Sequence, residues 1–316
     1  MVKLAIVGAG FVGASLGLAL RPSKLFAHIA GYDHDRGRLQ AAKRAGAIDE
    51  ECRSTTAAVE QAAVIVVTVP APELEAVLRE LTPALSPGAI VTDTTPWKVA
   101  AECAAAVLPE DVHFVGGRPV LDNAGHGPEQ ASAAALRNAV YCLTPGPLAS
   151  EAAVNAMSAL VNAMGAQPYF LEPAEHDALT AASELLPSAL LAALPLALIH
   201  DPAWVDAGKL AGDRFNRAAR QAEELQASFW RDATANAPAL SRWLETAASA
   251  LLDLRDNLQS DNPQKLAADW DVTLRSLARW RADKRQLQES TMPPKSELRP
   301  NLFGNMSALG RLGRRS

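Results

Sequence analysis

Gly8, Gly10 and Gly13 form a G-x-G-x-x-G run directly after the apolar stretch Lys3–Val7, and Asp33 follows Gly13 by 20 positions. Residues 14–20 read as helix, and Asp33 closes a second short apolar run, residues 29–33. Strand, glycine loop, helix and a strand-end acid are together the context that makes this motif specific for a dinucleotide. Gly8 permits a tight turn, Gly10 lets backbone approach a pyrophosphate, and Gly13 lets the helix pack closely on the strand. The helix N-terminus, with Phe11 and Val12 in its first turn, offers N–H groups and a partial positive charge to the phosphates. The Asp33 carboxylate suits a ribose diol and repels a 2′-phosphate, which favours NAD; Arg36, close by, leaves NADP open. Thr68, Val69 and Pro70 end a third apolar strand where the nicotinamide ribose should pass, and Thr94 and Thr95 follow a fourth.

The elements that must position these residues alternate. Strand patterns at 3–7, 29–33, 63–69, 89–92, 112–115, 139–143 and 168–171 are separated by helical patterns at 36–45, 72–85, 97–107 and 150–164. The β-branched run 63–69 is the composition of a strand buried on both faces. Short links between alternating strands and helices imply an α/β fold with a doubly wound, mostly parallel Rossmann sheet. After Pro173 the strand signals stop, and residues 174–200, 209–236, 238–258 and 263–286 read as helices, an all-α second domain. The expected division is a dinucleotide-binding domain over 1–172, a helical substrate and dimerisation domain over 173–290, and a basic, flexible tail over 291–316. Trp204, Phe215, Trp230, Trp243, Trp270 and Trp280 fall in the helical half, where core and subunit contact is the expected role.

With 316 residues and a net charge of −5, the chain has room for two cores and no broad basic surface for nucleic acid. In the tail, Lys295, Arg299, Arg311, Arg314 and Arg315 outweigh Glu297. Cys52, Cys103 and Cys142 lie far apart without metal-ligand spacing, as expected of reduced thiols in a cytoplasmic protein. No signal peptide is read at the N-terminus. The apolar stretch 178–199 holds Glu184, Pro187 and Pro195, which argues for a buried helix pair or kinked helix rather than a membrane span.

The layout resembles the prephenate and arogenate dehydrogenases over roughly residues 3–280. Residues 91–98, Val-Thr-Asp-Thr-Thr-Pro-Trp-Lys, are similar to that family's strand-end Asp followed by Ser-x-Lys. Residues 114–119, Phe-Val-Gly-Gly-Arg-Pro, resemble its Phe-x-Gly-x-His-Pro turn. His176-Asp177 with residues 184–188, Glu-Leu-Leu-Pro-Ser, resemble its His-Asp and Ser-His-Leu-Pro-His segment, and Trp230 to Asn236 matches a Trp-to-Asn spacing. The departures fall on polar positions. Pro96 stands at the family's Ser and Arg118 at the His before Pro, while Glu184, Leu185 and Ser188 stand at the Ser and the two His of the helical motif.

The resemblance implies an NAD(P)-dependent oxidoreductase that takes a hydride and releases carbon dioxide as a ring becomes aromatic, in tyrosine biosynthesis, with a shift to another small carboxylate substrate left open by the departures. Such a reaction needs a base that titrates near neutral pH. Arg118 cannot serve as that base, because a guanidinium stays protonated; it can hold a carboxylate through a two-pronged hydrogen bond. Lys98, Glu184 and His126 are the candidates to accept the proton, and Arg217, Arg220 and Ser188 the candidates to hold substrate from the helical half, with Arg214 an outside choice. His176 with Asp177 is expected to be structural, and no metal is expected. Two other readings stay open: a cofactor-binding regulatory or assembly protein that has lost hydride transfer, and a reductase of imines or keto acids. The apolar helical half also implies a homodimer without membrane or nucleic-acid partners.

Overall fold

Leu4 and Ile6 of the first strand point to one face of a sheet and Ala5 and Val7 to the other, and all four are buried. That two-sided burial sets the architecture. The computed structural model describes residues 2–122, 125–147, 149–225, 227–260 and 263–289, so the expected tail 291–316 lies outside the described residues.

Eight strands form one sheet: β1 (Lys3–Val7), β2 (His28–Tyr32), β3 (Glu50–Glu51), β4 (Ala62–Val67), β5 (Ile90–Asp93), β6 (His113–Pro119), β7 (Val140–Pro145) and β8 (Gln167–Phe170), in the order β3-β2-β1-β4-β5-β6-β7-β8. Every pairing is parallel except β6 with β7, so the α/β, doubly wound, mostly parallel sheet forms as expected. The helices α1 (Phe11–Leu20), α2 (Arg36–Arg44), α3 (Thr55–Val59), α4 (Leu74–Leu81), α5 (Lys98–Ala105) and α6 (Glu151–Ala163) connect the strands. Leu16, Leu20, Leu160 and Val161 cover the face carrying Leu4 and Ile6, and Leu74, Leu78 and Leu81 cover the face carrying Ala5 and Val7. Each such Leu, fully buried, stabilises by about 1.5–3 kcal/mol relative to exposure. The strand order reverses between β1 and β4, which opens a crevice at their carboxyl ends.

Helix capping is local and readable. Asp35 accepts from the N–H groups of Gly37 and Arg38 at the start of α2, at 2.8 and 3.2 Å. Those bonds hold its carboxyl below the usual carboxylate range. Ser54 caps α3 and Ser150 caps α6 in the same way.

The remaining helices are α7 (Pro173–Thr180), α8 (Leu186–Leu198), α9 (Trp204–Ala207), α10 (Asp213–Glu223), α11 (Ala227–Ala235), α12 (Ala237–Gln259) and α13 (Pro263–Glu289), with a π turn at Ala181–Leu185 joining α7 to α8. By its contacts the chain divides into a unit of residues 1–176 with 280–316 and a unit of residues 177–279. The division falls inside α7 and inside α13, rather than at residues 172 and 290.

Two expectations for the helical half are corrected. The run Pro173–Leu198 is long and apolar enough to cross a membrane by length and composition, with hydropathy 1.6, but only 17% of that window is buried. Of the two forms expected, a buried helix pair or a kinked helix, the first is not seen in the single chain: Leu190, Leu194, Leu196 and Ile199 are exposed, while a π turn interrupts the run and Pro195 lies inside α8. The tryptophans also divide. Trp204 stacks on Phe215 with ring centroids 4.8 Å apart, and Trp243 donates to the Ala178 carbonyl at 3.0 Å. Trp230, Trp270 and Trp280 are 51%, 59% and 57% exposed, so they are not core within one chain.

Candidate active site

The glycine loop owes its shape to what surrounds each position. Gly8 has φ +100°, a backbone conformation that strains any residue with a Cβ, and a Cβ there would lie 2.5 Å from the Thr68 carbonyl oxygen. A Cβ on Gly13 would sit 2.1 Å from the Gly8 carbonyl oxygen, so α1 lies directly against the turn. Gly10 differs: a Cβ added there meets nothing within 4 Å. Gly10 is also the N-cap of α1, which has no side-chain cap and no acid in its first turn. The first N–H groups of α1 therefore face open space with a partial positive charge, a fit to a diphosphate.

A cavity of about 400 Å³ runs from this loop along the strand ends, lined by Gly8, Gly10, Tyr32, Asp33, His34, Thr68, Val69 and Pro70 among others. The Thr68 hydroxyl donates to the Gly8 carbonyl, and its N–H donates to the Val7 carbonyl at 2.7 Å. Asp33 is buried, and its oxygens accept from the N–H of Ala9 at 2.7 Å and of Asp35 at 2.8 Å. Phe11 is buried, Val12 half-buried, and Arg36 is exposed at the start of α2. Thr94 is half-buried just beyond β5. These residues could hold NAD or a close relative of it.

Beyond β5 lies a buried polar cluster. Lys98 and Asp93 have fully buried side chains and form an ion pair, with Lys98 Nζ 2.8 and 2.7 Å from the two carboxylate oxygens. Lys98 also donates to the Gly117 carbonyl at 2.7 Å, and the Gly117 N–H donates back to Asp93 at 3.2 Å. Asp93 accepts further from the N–H of Thr95 at 2.9 Å and from the Thr95 hydroxyl. The Lys98 amine, a candidate proton acceptor, thus contacts three buried oxygens and ties β5 to β6. The two glycines of β6 permit this approach, since a Cβ on Gly116 would lie 2.3 Å from Thr144 Oγ1 and one on Gly117 2.8 Å from Thr92 Oγ1.

Arg118 follows Gly117 directly, half-buried and opposite Cys142 in the antiparallel register. Burial pushes the Cys142 thiol up, although Arg118 and Lys98 pull the other way, so the thiol stays neutral at physiological pH. Burial, reinforced by Asp93, also raises the Tyr141 phenol far above its ordinary range. Tyr141 and Trp97, whose buried indole N–H has no hydrogen-bond partner among the described residues, are parts of this cluster that sequence reading missed. Trp97 occupies the unspecified position of the 91–98 motif, and Tyr141 belongs to no motif. His126 is exposed, and its N–H donates to Gln130 at 3.1 Å. The loop that carries it packs over the start of α1, where a Cβ on Gly125 would come 2.7 Å from Phe11.

The other candidates belong to the second unit. Glu184 is exposed in the π turn, and the Ser188 hydroxyl donates to the Glu184 carbonyl at 3.1 Å. Arg217 pairs with Asp213 at 3.3 Å, Arg220 donates to the Asn216 carbonyl at 3.3 Å, and both are exposed along α10. Arg214 is exposed on the same helix. His176 and Asp177 are buried in α7.

Residues 16–170 match the model of the nucleotide-binding domain of prephenate dehydrogenase. The chain is 30% identical over 192 residues to the prephenate dehydrogenase of Bacillus subtilis (strain 168), covering 60% of this chain and 52% of that protein. The arogenate dehydrogenase of Synechocystis superposes with a TM-score of 0.72 at 26% identity, covering 90% of this chain and 99% of that one. Residues 16–170 of this chain are thus similar to the nucleotide-binding domain of the prephenate dehydrogenases, and the wider fold is similar to that of an arogenate dehydrogenase. That family is one of NAD-binding oxidoreductases. A prephenate dehydrogenase from A. aeolicus, in complex with hydroxyphenyl propionate and NAD+, has the same fold, with a TM-score of 0.76 at 24% identity, covering 88% and 98% of the two chains. The chain spans about half the length of the curated relatives it matches. By the resemblance read from the sequence, Asp93 and Lys98 stand where like residues are expected, and Arg118, on β6, where a histidine is expected.

Proposed function

We propose that this chain is an NAD(P)-dependent dehydrogenase acting on a small carboxylate substrate, with Arg118 holding that carboxylate. The open, uncapped start of α1 at Gly10 carries the reading, because it leaves donors and space for a diphosphate beside Asp33. A bound nicotinamide would supply the hydride acceptor. The chain's own groups orient the reactants: Thr68 and Pro70 at the end of β4 border the cavity, and the Asp93–Lys98 pair fixes the strand end from which Arg118 projects. Arg118 stays cationic at any physiological pH and offers a planar fork that matches a carboxylate. A relative crystallised with hydroxyphenyl propionate and NAD+ supports a carboxylate ligand of this kind.

The experiment is NAD or NADP reduction assayed over prephenate, arogenate and related acids. In Arg118→Ala, KM for the accepted acid should rise at least tenfold, about 1.4 kcal/mol of lost binding, while NADH affinity stays within about twofold. A second reading has its own motive: Arg118, Leu185 and Ser188 stand at the family's histidine positions, and none of them titrates near neutrality. NADH binding without turnover of any of these acids would establish a cofactor-binding regulatory protein instead.

We also infer that two copies pair through the helical unit. Leu190, Leu194, Leu196 and Ile199 in and beside α8, and Leu251, Leu252, Leu254 and Leu258 on α12, are exposed in the single chain. Apolar exposure on that scale marks an interaction surface. Sedimentation should give a dimer at micromolar concentration, and a stable monomer there removes the inference.

A further inference from the structure

We propose that the Trp97 indole N–H donates to an oxygen of the bound acid, a substrate-positioning contact beside the one made by Arg118. The proposal rests on the dehydrogenase reading above and adds a residue to its site. Trp97 is 5% exposed and stands at the N-cap of α5, just past the carboxyl end of β5. Ligands of a doubly wound sheet lie outside that end of its strands. The indole Nε1 has no hydrogen-bond partner among the described residues. A buried tryptophan N–H ordinarily has a partner, and it can only donate, so the group that completes it is an acceptor such as a carboxylate, carbonyl or hydroxyl oxygen.

The neighbouring groups leave this task to Trp97. The Asp93 carboxylate already accepts from Lys98, from the Gly117 N–H and from both the N–H and the hydroxyl of Thr95. The Gly117 carbonyl accepts from Lys98, and the Trp97 carbonyl from the Ala101 N–H at 3.2 Å. Among the side-chain donors of residues 94–98, the Thr95 hydroxyl and the Lys98 amine are thus directed to Asp93, and Pro96 carries none. Pro96 stands where the family resemblance places a serine, so the residue after it supplies an N–H at a strand end that has lost a hydroxyl. Trp97 and Arg118 also flank one joint, since each is the chain neighbour of a residue in the Lys98–Gly117 hydrogen bond, 2.7 Å long. A neutral donor and a guanidinium set about one bond suit an acid that carries several oxygens. A buried water is the competing partner for the indole, and the two make opposite predictions.

Trp97→Phe keeps the ring and removes the N–H. With prephenate and arogenate as the acids, KM for the accepted one should rise at least about fivefold, the loss of one hydrogen bond, while NADH affinity stays within about twofold. The thermal midpoint should hold or rise, because the folded chain loses no bond of its own. An unchanged KM overturns the proposal, as does a midpoint that falls while KM stays (the mark of a buried water), or a loss shared equally by NADH. On the unaltered chain with NAD bound, hydroxyphenyl propionate should shift one of the six tryptophan indole N–H resonances. That resonance should be missing from Trp97→Phe or, where that variant does not fold, from Trp97→Tyr. No shifted indole, or one that persists in the variant, overturns the proposal as well. If an acid is turned over and Trp97→Phe leaves its KM unchanged, this proposal falls and the dehydrogenase reading stands; if no acid is bound or turned over, both fall.

Discussion

Gly10→Ala is expected to weaken dinucleotide binding by a factor on the order of 100 and to leave the fold intact. The backbone at Gly10 has φ −73°, which alanine adopts without strain, and the added methyl would meet no protein atom within 4 Å. The only thing it meets is whatever lies against the start of α1. A diphosphate must approach that backbone closely to take its N–H bonds, and a methyl group holds it off. Affinity for NADH should fall by a factor on the order of 100, the loss of about two charge-assisted hydrogen bonds at 1.5–3 kcal/mol each being ample for that. The thermal midpoint should move by no more than about 2 °C. Gly13→Ala is the contrasting case. Its methyl would fall 2.1 Å from the Gly8 carbonyl oxygen, a backbone atom that cannot turn aside, so stability drops by roughly 1–3 kcal/mol or more. Calorimetry for binding and thermal unfolding for stability separate the two. Unchanged NADH affinity in Gly10→Ala would show that no diphosphate lies at this helix start.

Lys98→Met should be the most destabilising single change in the polar part of the site. It removes the cation from a carboxylate with no solvent access, and leaves Asp93 with the N–H groups of Thr95 and Gly117 and the Thr95 hydroxyl. Breaking a buried pair by removing one partner costs about 3–5 kcal/mol, because the remaining charge is uncompensated. For a chain of this size that lowers the midpoint by on the order of 10 °C. Adding Asp93→Asn should recover part of the loss, since the orphaned charge is then gone. A shift of Lys98→Met below about 1 kcal/mol would mean that the pair does not bind β5 to β6. Because Gly117 precedes Arg118, the same variant should also raise KM through misplacement of the guanidinium.

The cofactor half of the site was legible in the chain because its determinants are local. Gly8, Gly10 and Gly13 act on one turn and one helix start, and the apolar runs that flank them report a buried strand and its covering helix directly. Arg118 was legible as a departure from a family pattern, and its meaning followed from the chemistry of guanidinium alone. The pairing of Lys98 was not legible, for a different reason. Its position five residues past Asp93 says nothing of whether the two meet, and its third acceptor, the Gly117 carbonyl, lies on another strand. The two-residue strand Glu50–Glu51 was missed because both side chains are exposed and charged, so no apolar pattern marks it. The tryptophans could be read only as core or subunit contact together, because a large apolar side chain gives the same signal whether its partner is the same chain or a second copy.

Residue order alone determined that a helix would start at an uncapped glycine beside a strand-end acid, since turn sterics and helix-terminal N–H groups depend on neighbours within a few positions. Only the tertiary structure decided that Lys98 is buried against Asp93 and the Gly117 carbonyl, and that Arg36 and Arg53 share a pocket beyond Asp33. Burial and pairing between distant segments are properties of packing, and side-chain chemistry in a folded protein is set by which groups packing brings within about 4 Å of one another.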